Sequence, residues 1–313
     1  MKNEQNIDKR APKDYRMATE IKISIIIPNL HSPIVDQTIE SVLNQETELT
    51  YEIIVVGMDK YHLVEKFEDV VFIQTPSPVG AAEARNSGIR QAKGEWLFFI
   101  DSDCIAQPGW IKTLSEAFQQ GWKVVGGGVK TPQEPSWLLV YNLSMFHGSL
   151  TTENKKEKKF LPTLNLAVHR EVINKVGVMN ESLLRGQDVD WTSRMTLAGY
   201  PLLFEPRAAI EHLPERQDLD ALRKFNYRSG YYMIRVRHKH PQIFHMPAIL
   251  KKPFVFKIFG PLIALITTVK IVLRSKEVRQ HINIVPYIYL QKLSWCQGAA
   301  DSLEALENDE SNA

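Results

Sequence analysis

Four short stretches carry residues that could do chemistry. Asp101-Ser102-Asp103 follows five consecutive apolar residues, Trp96–Ile100. A run that short and that apolar reads as a strand buried on both faces, so its carboxylates belong at its mouth. Two carboxylates one residue apart can be brought to a single cation, and hard divalent cations take oxygen ligands of this kind. The same triplet also fits a polar turn whose aspartate caps the next helix. Gly186-Gln187-Asp188-Val189-Asp190-Trp191 leads from a loop glycine to carboxylates at a helix start, where capping is the plain alternative. In Gly80-Ala81-Ala82-Glu83-Ala84-Arg85-Asn86-Ser87-Gly88, small residues allow close helix–sheet packing. Arg85 there could reach a phosphate bidentately or simply face solvent. Ile210-Glu211-His212 ends a short apolar run on a histidine, a metal ligand when neutral and otherwise structural.

The elements that must position these residues follow from apolar periodicity. Residues 21–27 are β-branched and apolar up to Pro28, which predicts a strand. Residues 34–45 predict a helix, 51–56 a strand ending at Gly57, 63–67 a helix and 70–73 a short strand. Residues 80–93 predict an Ala-rich helix leading into the strand before Asp101. This alternation implies a mostly parallel sheet covered on both faces. In such sheets ligands sit beyond the carboxyl ends of the strands. Asn29, Asp59, Asp101 and Asp103 all fall at such ends. Further on, a helix is expected from 110 to 120 and a strand over 123–129. Residues 131–160 read as an irregular, solvated loop, with a lid over the site as the alternative. A strand over 164–168, a helix over 170–176 and a helix from Asp188 to Gly199 come next. Two short strands, 202–205 and 208–211, close this part.

Composition narrows the class. The 313 residues carry 38 Lys+Arg against 36 Asp+Glu, a net charge of +2, so no basic excess points to nucleic acid. The two cysteines, Cys104 and Cys296, form no Cys-x-x-Cys pair; they predict neither a disulfide framework nor a zinc site and read as small core residues. Residues 1–20 lack an apolar h-region and read as a flexible tail rather than a signal peptide. From Leu219 the pattern is helical and rich in Arg and Lys. Residues 254–273 are apolar but interrupted by Lys257, Gly260-Pro261 and Lys270, which suggests a monotopic or re-entrant segment, with a spanning helix and a buried soluble helix as the alternatives. Flanking Lys251, Lys252, Arg274, Lys276 and Arg279 suit an anionic cytoplasmic leaflet. The acidic residues from Asp301 to Glu310 predict a tail that is disordered beyond its first turn.

The ordered set of motifs resembles the family 2 glycosyltransferases, which have the GT-A fold. It runs from the strand ending in Pro28, through Ala84-Arg85-Asn86, Gly94 and Asp101-Ser102-Asp103, to Pro108 and Trp110. It then continues through Gly177, Glu181, Gly186-Gln187-Asp188-Val189-Asp190, Arg194 and Gly199. The resemblance covers about residues 21–215. It implies an α/β, Rossmann-like, mostly parallel sheet flanked by helices, and the apolar segment 254–273 beyond it adds a helical membrane-associating extension. On that reading residues 21–130 bind the nucleotide sugar and 131–215 supply the base and the acceptor pocket. Residues 216–300 meet the membrane, and 301–313 form the acidic tail.

The implied activity is inverting transfer of a sugar from a nucleotide diphosphate sugar to a saccharide or lipid-linked acceptor. The membrane reading of residues 254–273 makes cell-surface polysaccharide or glycolipid synthesis, on the cytoplasmic face of the membrane, the expected setting. Asp103 and Asp101 would hold Mg²⁺ or Mn²⁺ on the donor diphosphate, with His212 as a further ligand. Pro28, Asn29, Asp59, Arg85, Asp101 and Ser102 would line the donor site. Asp188 matches the base, with Asp190 as the second candidate. Gln187 stands where the family usually has glutamate. Gly57-Met58-Asp59 displaces the family's base-reading aspartates. These departures keep a second reading open, a GT-A module that binds a sugar nucleotide or a partner without turnover. A nucleotidyltransferase would need a Gly-rich basic loop after the first strand, and residues 29–33 contain no glycine, lysine or arginine.

Overall fold

The structure, a computed structural model, describes residues 20–132, 136–215 and 218–311. The expected N-terminal tail lies outside the described residues apart from Glu20. The first half alternates as the apolar runs predict: β1 (Ile23–Leu30), α1 (Val35–Leu43), β2 (Tyr51–Met58), β3 (Val70–Gln74), α2 (Ala81–Gln91) and β4 (Trp96–Ile100). Residues 64–66 form a single 3₁₀ turn instead of a helix. The strands pair in the order β3-β2-β1-β4, all parallel. Ile23, Ile25 and Ile27 enter one apolar layer and Ile26 the other, as alternation along a doubly covered strand requires. Because these strands are parallel, their carboxyl ends share one rim. There Asn29 pairs with Gly57. Gly57 has φ +134°, and a Cβ on it would lie 1.9 Å from the Asn29 carbonyl oxygen, so no other residue fits.

The second half comprises β5 (Cys104–Ala106), α3 (Trp110–Gln119), β6 (Val124–Lys130), α4 (Trp137–Phe146), β7 (Lys156–Lys158), β8 (Asn165–His169), α5 (Arg170–Val176), α6 (Gln187–Leu197) and β9 (Leu202–His212). β8 inserts antiparallel between β4 and β6, β9 runs parallel to β6, and β5 and β7 pair antiparallel with β9. The sheet is therefore parallel in its first half and mixed in its second. Two expectations change. Residues 131–160 are not an irregular loop throughout, since they contain α4 and β7. The two short strands before His212 are one strand, with a register shift between Gly127 and Gly128 where Pro206 bulges out of β9.

The remaining chain is helical: α7 (Leu219–Lys239), α8 (Pro241–Phe244), α9 (Pro253–Arg274), α10 (Lys276–Gln280) and α11 (Val285–Ser311). The Asp218 side chain accepts from the Ala221 N–H at 2.7 Å and caps α7. α7 and α11 cross backbone to backbone. A Cβ on Gly230 would lie 2.0 Å from the Trp295 carbonyl oxygen, and one on Gly298 would lie 2.0 Å from that of Tyr227. α9 passes unbroken through Gly260 and Pro261. The acidic end is helix rather than disordered tail through Ser311. Glu304 and Glu307 bind Lys257 and Lys252 of the α9 region at 2.7 and 3.0 Å, and Leu303 is buried. Those ion pairs relieve the self-repulsion that composition alone suggests. α9 keeps a long apolar stripe outward: Phe254, Ile258, Leu262, Leu265, Ile266, Val269 and Leu273 are all exposed, Ile258 and Leu273 by about two-thirds.

Candidate active site

β4 delivers Asp101 to the rim, and the chain turns at once, with the Cys104 N–H donating to the Asp101 carbonyl at 3.0 Å. This turn splits the two aspartates. Asp101 accepts a hydrogen bond from the Arg85 guanidinium of α2, which is almost wholly buried. Asp103 faces the other way, toward His212 at the end of β9, with 3.5 Å between its Oδ1 and His212 Nε2. The Cys104 thiol lies 3.7 Å from the same oxygen. The acid pair expected on one cation is thus divided between an arginine and a histidine. Burial, followed by the charges of Asp103 and Asp101, pushes the Cys104 thiol well above its ordinary value.

Arg85 also donates to the Ala81 carbonyl at 3.4 Å, while its buried Nε–H has no hydrogen-bond acceptor. A buried guanidinium with one donor left over is costly unless an anion completes it. The neighbouring Asn86, a motif residue to which sequence alone gave no role, ties α2 to the loop that leads to α6. Its amide bonds both the Met179 carbonyl and N–H, at 2.9 and 3.0 Å, and the Glu181 carboxylate at 2.8 Å.

That loop ends at Gly186, with φ +76°, where a Cβ would meet the Met233 sulfur of α7 at 2.7 Å. The turn starts α6, and Asp188 stands in its first turn with its Oδ1 accepting from the Val189 N–H at 2.8 Å. α6 is held against β4 by Trp191, whose ring meets Phe99 edge-on at 5.6 Å and whose N–H donates to the Gly177 carbonyl. Phe99 is two residues before Asp101, so this contact fixes the distance between the two acidic motifs. Asp188 consequently feels both Arg85 and Asp101. Burial raises its pKa most, the Val189 N–H and Arg85 counter, and Asp101 adds to the rise. A carboxyl in that state is suited to exchanging a proton.

Asp190 is placed differently from Asp188. It is wholly buried, and its carboxylate accepts from His240 and Lys239, each at 2.8 Å, and from Arg194 at 3.2 Å. Those bonds join α6 to the end of α7. Asp59 stands at the end of β2 with both oxygens on backbone N–H groups, Tyr61 at 3.2 Å and Val64 at 2.7 Å. Asn29 is buried and bridges the Met58 carbonyl and the Ser32 N–H. The Ser32 hydroxyl in turn donates to the Ser102 carbonyl at 2.7 Å. Pro28 is half-buried just before Asn29. The rim therefore runs from Asp59 through Asn29 and Ser102 to Asp101, Arg85 and Asp188, with Asp103 and His212 beyond. Asp103, Cys104 and His212 carry ligand atoms within 4.8 Å of one another, a donor set that fits a divalent ion. Cys104 enters this cluster through the pairing of β5 with β9, and no local signal in the sequence reports that pairing.

Residues 24–177 match the model of Glycosyl transferase family 2. The chain is 28% identical over 228 residues to the glycosyltransferase AglE of Haloferax volcanii, covering 68% of this chain and 73% of that one. It is 25% identical to a pre-mycofactocin glycosyltransferase of Mycobacterium tuberculosis, of which it spans only 38% (54% of this chain). The fold superposes on the mannosyltransferase PcManGT of Pyrobaculum calidifontis, solved with GDP-Man and Mn²⁺, with a TM-score of 0.56 and 16% identity over 86% of this chain and 85% of that one. A GT-A sheet, a family match that begins in β1 and ends just past α5, and an acidic rim at the strand ends agree: this chain belongs to glycosyl transferase family 2, a family of sugar-transferring enzymes.

Proposed function

We propose that the chain transfers a sugar, with inversion and with a divalent ion, from a nucleotide diphosphate sugar to an acceptor hydroxyl, and that Asp188 is the general base. The observation that carries this reading is the shared field of Asp188, Arg85 and Asp101. A carboxyl with a raised pKa there stands beside a buried guanidinium that has a donor to spare. In the proposed step the acceptor hydroxyl gives its proton to Asp188. Its oxygen bonds to the anomeric carbon as the bond from that carbon to the diphosphate oxygen breaks. The nucleoside diphosphate leaves, and one displacement inverts the anomeric centre.

Asp103 and His212 would hold Mg²⁺ or Mn²⁺ with Asp101 alongside; when bound, such an ion supplies Lewis-acid neutralisation of the leaving diphosphate. Arg85 would add its charge to the same diphosphate. Pro28, Asn29, Asp59 and Ser102 would line the donor side. Asp190 is proposed as a positioning residue, because Arg194, Lys239 and His240 already occupy its carboxylate.

The acceptor is proposed to be a saccharide or lipid-linked molecule met at the cytoplasmic face of a membrane, in surface polysaccharide or glycolipid synthesis. Supporting this is α9, a 22-residue helix long and apolar enough to cross a membrane, whose outward stripe from Phe254 to Leu273 is exposed. Its inner face packs on α11, which favours lying along the interface over crossing it. The test of the chemistry is Asp188→Asn. Transfer should fall on the order of 10²–10⁴-fold while Mn²⁺-dependent donor binding persists, and the wild-type product should show an inverted anomeric centre by NMR. Undiminished turnover in the variant, or a retained configuration in the product, would overturn the reading.

A further inference from the structure

The turn after Asp101 does more than divide the two aspartates. β5 and β9 are antiparallel, with Cys104 directly opposite His212. Directly opposed residues share a face of the sheet with their Cβ atoms about 5 Å apart. The Leu213 N–H donates to the Asp103 carbonyl at 2.8 Å and fixes the register just outside this pair. The imidazole of His212 is about nineteen-twentieths buried and clasped by Tyr141 and Phe146, at centroid distances of 5.6 and 5.4 Å. Its Nδ1 faces the Asn142 side-chain oxygen at 3.3 Å, which leaves Nε2 directed at Asp103. One carboxylate oxygen, one sulfur and one ring nitrogen therefore converge from three rigidly held residues. Asp101 is not in the group, because Arg85 occupies it.

We propose that Asp103, Cys104 and His212 form a mixed oxygen–sulfur–nitrogen seat that binds a thiophilic divalent ion of the zinc and cadmium class in preference to Mg²⁺. The proposal rests on the metal-dependent reading above and narrows it. Zn²⁺ accepts this combination of donors, whereas Mg²⁺ demands near-octahedral oxygen ligands and keeps several waters. Mn²⁺, harder than zinc but tolerant of imidazole, falls between them. On binding, the ion–sulfur bond forms as the Cys104 S–H bond breaks, and the proton passes to solvent; nothing is oxidised or reduced. Asn142 is a positioning residue here, holding the ring through Nδ1 as outer-shell partners do. In the cell such an ion would compete with the one that supports transfer, so the sulfur would make the enzyme sensitive to free zinc.

The experiment uses the full chain stripped of metal and titrated with Cd²⁺, read by the ultraviolet thiolate-to-metal absorption. The chain has only two cysteines, both buried and free, so the assignment is clean. The absorption should rise to a stoichiometric end point, fall when Zn²⁺ is added, and survive excess Mg²⁺. Cys104→Ser should abolish it and Cys296→Ser should leave it intact. Asn142→Ala should weaken the apparent affinity by about tenfold. Absence of the absorption in the wild type, its loss with Cys296→Ser alone, or its displacement by Mg²⁺ would each overturn the proposal. If Cys104→Ser does not fold, as judged by circular dichroism, the wild-type and Cys296→Ser titrations still decide. Mn²⁺-dependent binding of nucleotide sugar, measured separately, tests the sugar-transfer reading. Donor binding without Cd²⁺ absorption removes the mixed seat alone, and absorption without donor binding removes the transfer reading alone.

Discussion

Replacing Asp190 with asparagine should cost stability and spare chemistry, the reverse of the same change at Asp188. Asp190 is wholly buried and accepts from His240, Lys239 and Arg194. Burial alone would raise its pKa, but the hydrogen bonds from Lys239 and His240 hold it below the ordinary value. A depressed carboxylate stabilises the fold above its unfolded pKa, and that stability is lost as pH falls through the folded value. Breaking a buried ion pair on one side costs about 3–5 kcal/mol. Lys239 is half-exposed and can return to water, whereas His240 cannot, so the lower end applies, about 3 kcal/mol. For a chain of this size that is a fall in Tm of roughly 4–5 °C. The assay pairs a thermal melt with turnover measured well below the transition. Asp190→Asn should keep kcat within about tenfold, while Asp188→Asn should lose on the order of 10²–10⁴-fold. An unchanged Tm for Asp190→Asn would refute the strut role. So would a folded Asp190→Asn protein whose turnover falls as far as that of Asp188→Asn.

Other perturbations test the rest of the molecule. Gly298→Ala drives a methyl into the Tyr227 carbonyl oxygen and should destabilise the helical extension by at least ~2 kcal/mol, measured by urea unfolding. Burial, followed by Lys292 and Lys158 nearby, pushes the His147 imidazole down to about 4. The unfolded chain takes up that proton near pH 6.5, so stability should fall as pH drops from about 6.5 toward 4, and His147→Gln should flatten that slope in pH-dependent melts. The double change Leu262→Glu and Leu265→Glu on the outward stripe of α9 should abolish sedimentation with anionic vesicles without altering the melt. Since burial raises the Asp188 pKa, the acid limb of kcat/KM should lie above that of an ordinary aspartate and vanish in Asp188→Asn.

The parallel half of the sheet was legible because its strands are buried on both faces. Runs such as Ile23–Ile27 and Trp96–Ile100 carry that requirement in every residue. α4 escaped because it is apolar nearly all round, so it offers no helical periodicity to find. β5 is three residues long, and β9 was split at Pro206, where the strand bulges. The end of α11 reads as a tail until its glutamates find Lys252 and Lys257. In the site, Asp101, Asp103, Asp188 and Arg85 were legible as motifs. Their grouping was not, because Asp101 goes to Arg85 while Asp103 goes to His212, and spacing alone cannot distinguish those partners. The Asn86 staple and the company of Cys104 likewise depend on contacts between distant parts of the chain.

The bond between Asp190 and His240 closes a ring. Going forward from Asp190, the chain runs through α6, β9 and α7 and returns to its starting point at His240. A helix clasped in this way cannot tilt or slide without carrying the far end of the loop with it. The helical extension is thus part of the frame that holds α6, the helix bearing Asp188, and it also carries the face proposed to meet a membrane. A chain cut after β9 would keep the sheet and the rim but lose the clasp, and with it the strut that steadies α6.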